Sequence, residues 1–158
     1  MAKKFIGLTI AVLLLFSLAA CNSPEEDYNG KEVVVGDFSI TITVDKTEVS
    51  IGETIEISAI LKNVSEQSLK IVKGKNPVCL AVFSKDAEPD FDWDLARIDI
   101  ELAADDVLEY TVAWAATEKG EFFALAHVRF SVVEDWNDDY SNWTAISIQS
   151  KKINIKVI

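Results

Sequence analysis

From Asp37 to its C-terminus this chain repeats a hydrophobic period of two, which only half-buried strands can use. Phe38, Ile40, Ile42 and Val44 alternate with Ser39, Thr41 and Thr43, and Ile55, Ile57, Ala59 and Leu61 alternate with Glu56, Ser58 and Ile60. Leu69–Val72 and Val78–Phe83 are apolar runs separated by Gly74 to Pro77. Ile98, Ile100 and Leu102 resume the alternation, and Leu108, Tyr110, Val112 and Trp114 continue it. The longest inward stripe is Phe122, Ala124, Ala126, Val128, Phe130 and Val132. In the last strand the parity changes between Ile146, Ile148 and Ile153, Ile155, Val157, so a bulge near Ser150–Lys152 is required to keep both parts on one face. Turn-forming clusters separate these runs, and no helical stripe interrupts them. The pattern predicts an all-β fold, a sandwich of about 7–9 antiparallel strands occupying residues 37–158.

The first twenty residues follow different rules. Lys3 and Lys4 precede an apolar run from Phe5 to Phe16, short for a permanent membrane span, and small residues then lead to a cysteine. Leu18-Ala19-Ala20-Cys21 resembles the lipobox of bacterial lipoproteins. The resemblance implies a signal peptide over residues 1–20, cleavage before Cys21, and a diacylglyceryl group with palmitate-type chains on the Cys21 thiol. It implies a location on the extracytoplasmic face of the bacterial cell membrane. Residues 21–36 are polar, acidic and broken by Pro24 and Gly30, and read as a flexible tether. The net charge of −11 falls to −13 once Lys3 and Lys4 leave. That balance argues against nucleic acid and against lying flat on anionic lipid, and suits a soluble body or a cationic partner.

Two segments carry a second resemblance. Ile57-Ser-Ala-Ile-Leu-Lys-Asn-Val-Ser65, and Leu102 to Trp114 continued by Gly120 to Ala126, are similar to bacterial immunoglobulin-like domains and to the intracellular proteinase inhibitor family of bacilli. The resemblance implies an immunoglobulin-like sandwich. The chain departs from the family at Ala104-Asp105, where Pro-Gly is usual, and no reactive inhibitory loop is located by these residues. The antibody pattern of Cys, Trp and Cys is absent.

Little here points to catalysis. No nucleophile elbow, P-loop or dinucleotide fingerprint occurs, and the lone His127 sits between Ala126 and Val128 on the outward parity of its strand, an exposed position by pattern. With Cys21 lipidated, Cys79 has no disulfide partner and reads as a small buried hydrophobe in an apolar strand. The acidic–aromatic loops are the candidate sites. Asp86, Asp90, Asp92 and Asp94 flank Phe91 and Trp93, and a second loop carries Trp136, Tyr140 and Trp143. Such carboxylates could ligate Ca²⁺. Trp93, Trp136, Tyr140 and Trp143 could stack on sugar rings, or the three tryptophans could form a lid over one end of the sandwich while the acids face water. Asn63-Val-Ser65 and Asn142-Trp-Thr144 match the glycosylation pattern, although Asn63 is explained as a turn former. The expectation is a non-catalytic, lipid-anchored binding module with a protein or glycan partner. The alternatives are a protease inhibitor and a carbohydrate- or Ca²⁺-binding surface lipoprotein.

Overall fold

The computed structural model describes residues 29–93, 96–137 and 142–158. The segment 1–20, Cys21, Asp94 and Tyr140 lie outside the described residues. Among the described residues ten strands form two sheets: β1 (Glu32–Val35), β2 (Phe38–Val44), β3 (Glu48–Val49), β4 (Thr54–Asn63), β5 (Leu69–Ser84), β6 (Ile98–Leu102), β7 (Val107–Ala115), β8 (Gly120–Val133), β9 (Thr144–Gln149) and β10 (Ile153–Val157). The first sheet runs β1-β2-β4-β7. The second runs β3-β10-β8-β5-β6, with β9 also on β8. This is an immunoglobulin-like β-sandwich. The pairs are antiparallel except β3 with β10, which departs from the all-antiparallel expectation.

The core follows the predicted alternation. Ile40, Ile42, Ile57, Ala59 and Leu61 of the first sheet meet Ile71, Ala126, Val128 and Ile148 of the second, all fully buried or nearly so. Phe38 and Phe130 close one region of the core edge to face, with ring centroids 4.7 Å apart. Val112, expected inward with Leu108, Tyr110 and Trp114, is instead 38% exposed. Its strand is the rim of its sheet, where the core thins.

Three local devices set the register. The first corrects the tether reading: its C-terminal part is strand β1, paired with β2 from Glu32–Thr41 to Val35–Phe38. Gly36 and Asp37 make the two-residue turn, with Gly36 at φ +59, the left-handed geometry that a primed hairpin turn asks of its first central residue. Upstream, Asn29 clamps β2 by donating from Nδ2 to the Val44 carbonyl and accepting the Val44 N–H. The second device joins the two expected strands around Gly74 into one long β5, which pairs with β8 on both sides of an irregularity between Lys73 and Val78. The third is the expected bulge. His127 pairs with Gln149 and Ala124 with Ile153, so the second strand spends one extra residue there. Ser150 holds the kink: its N–H donates to the Ala126 carbonyl and its Oγ accepts the Ala126 N–H.

Asn63 does more than turn the chain. Its buried Nδ2 donates to the carbonyls of Gln67, Leu102 and Ala103, and its Oδ1 accepts from the N–H and hydroxyl of Ser65. It therefore ties the end of β4 to the β6–β7 turn and brings together the two segments that carry the immunoglobulin-like resemblance. Fully buried, the side chain is closed to glycosylation in the folded protein. In that β6–β7 turn the Asp106 N–H donates to the Ala103 carbonyl, and Asp105 stands at φ +64. A type II turn requires this geometry of its third residue, the place of Gly in Pro-Gly.

Candidate functional site

The outward face of the second sheet is covered rather than open to water. Phe83, Phe123, His127 and Cys79 lie on it, because their neighbours along β5 and β8 point into the core and the pairs Phe83–Phe123 and Cys79–His127 are in register. The segment after β5 folds back across this surface. Phe91 stands edge-on to Phe83 at 5.4 Å and to His127 at 5.3 Å, and Trp93 stands edge-on to His127 at 5.0 Å. Leu125, between Phe123 and His127 on this face, is wholly buried as a result. The exposed position expected of His127 is thus corrected to a half-buried one. Burial, then the neighbouring Arg129, push its pKa down from 6.5. Its Nε2 lies 2.8 Å from the Ser147 hydroxyl. The imidazole is surrounded by aromatic rings, a cation and a hydroxyl, a setting that packs and orients it.

Cations lie over the aromatic rings of this layer. Arg129 sits over Trp93 at 5.6 Å, Lys152 over Phe123 at 3.9 Å, Arg97 over Trp143 at 5.0 Å and Lys70 over Trp136 at 5.9 Å. Arg97 also pairs with Asp99 through Nε at 2.9 Å and reaches the Trp136 carbonyl at 3.5 Å. Trp93 packs against His127 and Arg129, Trp136 against Lys70 and Trp143 against Arg97.

A groove of about 790 Å³ opens between the rims of the two sheets. Val78, Cys79, Leu80 and Ala81 of β5 line one side, and Tyr110, Thr111 and Val112 of β7 the other. Asp90, Phe91, Asp92 and Trp93 wall it. Burial raises the Tyr110 phenol above its ordinary pKa. The Cys79 thiol is raised by burial and then by the Asp92 charge, and it donates weakly to the Asp92 carbonyl at 3.5 Å. A raised pKa favours the protonated thiol over the thiolate. Of the candidate residues, Asp90, Asp92 and Trp93 come together here, and Asp86 is exposed farther along the loop. Among the described residues no three His, Cys, Asp or Glu side chains converge as a metal ion requires. Sequence reasoning missed Tyr110 and Thr111, since a groove between sheet rims depends on strand order.

No protein-family model matches the chain, and no curated protein does. Among solved structures it is similar to the C-terminal domain of wzt, at 10% identity and a TM-score of 0.46, over 83% of this chain and 80% of that one. It is also similar to a CARDB domain from Pyrococcus furiosus, at 14% identity and a TM-score of 0.38, over 78% and 98%. A β-glucosidase from Erythrobacter marinus aligns at 12% identity and a TM-score of 0.41 over 77% of this chain, which spans 15% of the glucosidase's length. At these distances the likeness concerns the sandwich architecture alone.

Proposed function

We propose that this chain is a non-catalytic binding module held by lipid on the extracytoplasmic face of a bacterial cell envelope. The observation that carries the reading is the juxtaposition of Leu18-Ala19-Ala20-Cys21 with a folded domain whose first described residue, Asn29, stands eight positions after the cysteine. Such a leash spans at most about 28 Å when extended, so the domain would work close to the membrane. The acidic surface suits that position, since it does not adhere to anionic lipid. The groove between β5 and β7 supplies a place for binding.

Cell fractionation tests the anchor. The parent chain should sediment with membranes, and a Cys21→Ser variant should be released or accumulate unprocessed. Equal retention of processed parent and variant would end the anchoring proposal. Capture by chemical crosslinking on intact cells tests the binding role, and loss of every specific partner would count against it. A glycan or a secreted protease recovered there would select between the carbohydrate and inhibitor alternatives.

A further inference from the structure

We infer that the groove between β5 and β7 is a strand-addition site for an extended, lysine- or arginine-bearing segment of a partner protein. This deepens the binding role proposed above and rests on it. Backbone N–H and C=O groups on a sheet rim need partners, and a strand left open recruits one. β7 pairs with β4 along one edge over its whole length, from Val107 to Ala115, and among the described residues no strand lies on its other edge. β5 is in the same position from Val78 onward, because β6 reaches only Leu69 to Lys73. The two open rims face one groove.

Proteins normally blunt such edges with proline, lysine, bulges or short length. β7 has none of these: it is nine residues long, unbroken in register, free of Pro and Lys, and carries one charge, Glu109. Val107 and Val112 on it are 51% and 38% exposed. An edge this long and apolar is suited to be covered.

Charge selects the occupant. Asp90 and Asp92 form the wall, and the chain carries −11 overall, so a second copy meets like charge while a cationic segment is attracted. Main-chain pairing would supply affinity, and alternate side chains would meet Asp90 and Asp92 on one side and Val78 and Leu80 on the other. The ring of Tyr110, which lines the groove, adds a surface that favours cations.

The test is calorimetric titration of the full chain in neutral detergent with a peptide as long as β7 that alternates Lys and Val. Parallel titrations use the same peptide with its backbone N-methylated throughout, and a Glu–Val version. The Lys–Val peptide should bind; N-methylation should weaken it at least about tenfold, as should Asp90→Asn combined with Asp92→Asn, and the Glu–Val peptide should not bind. Equal binding of the N-methylated peptide would reduce the contact to charge and overturn strand addition. Absence of binding up to millimolar peptide would overturn it too, as would dimerisation of the chain that the peptide displaces. Partner capture that persists when the titrations fail would sink this inference and leave the binding role standing.

Discussion

At the scale of single residues the fold depends on a few side chains whose work the alternation pattern does not display. Asn63 was legible as a turn former because Asn-x-Ser follows an apolar run. Its second task, donating to Leu102 and Ala103 some forty positions away, depends on tertiary placement. Replacing Asn63 by Ala leaves the buried Leu102 carbonyl and the part-buried Gln67 and Ala103 carbonyls without their donor and should cost about 3 kcal/mol, given 1–3 kcal/mol for each stranded buried group. Urea denaturation would measure it, and a cost below 1 kcal/mol would show that water fills the role. Asp105 gives a finer test. The departure from Pro-Gly in the sequence is the place where the backbone turns left-handed. Asp105→Gly should therefore leave stability within about 0.5 kcal/mol, relief of the backbone offsetting loss of the exposed Lys62 ion pair at 2.7 Å. Asp105→Val should cost about 1–2 kcal/mol in the same assay, because a β-branched side chain is strained there.

At the scale of elements, the sandwich was legible because strands with one buried face write themselves as alternation. The change of parity after Ile148 even announced the Ser150 bulge. Ser150→Ala removes the acceptor for the Ala126 N–H, and thermal unfolding should show a loss of about 1–2 kcal/mol. The β1 hairpin was also written in the sequence, as Val33 to Val35 followed by Gly-Asp, but the acidic, Pro-containing stretch before it masked the signal. The aromatic layer was not legible in the same way. A residue of outward parity reads as exposed unless something covers it, and what covers His127 is an irregular segment with no period. That cover has a measurable consequence. A base whose pKa is lowered by folding stays neutral in the native state to a lower pH than in the unfolded chain, so the unfolded chain takes up its proton first. His127 therefore contributes full stability above about pH 6.5, and this is lost as the pH falls from there through the folded pKa. Phe91→Ala uncovers the ring, and its titration followed by NMR should move up toward 6.5. An unmoved midpoint would mean that Phe91 contributes nothing to the desolvation.

At the scale of the whole molecule, sequence and structure divide the account between them. The signal-like N-terminus, the acidic balance and the missing catalytic motifs are properties of the chain read linearly. The groove is a property of strand order, which places β5 and β7 at neighbouring rims, and no periodicity encodes that. What unites them is the proposal that residues 1–20 deliver the domain and Cys21 keeps it at a membrane. The most direct measurement is the intact mass of the chain extracted from bacterial membranes. The account predicts a polypeptide beginning at Cys21, lacking residues 1–20 and heavier than its sequence by a diacylglyceryl group, with the added mass on the N-terminal peptide. A chain that begins elsewhere, or one that carries Cys21 unmodified, would contradict it.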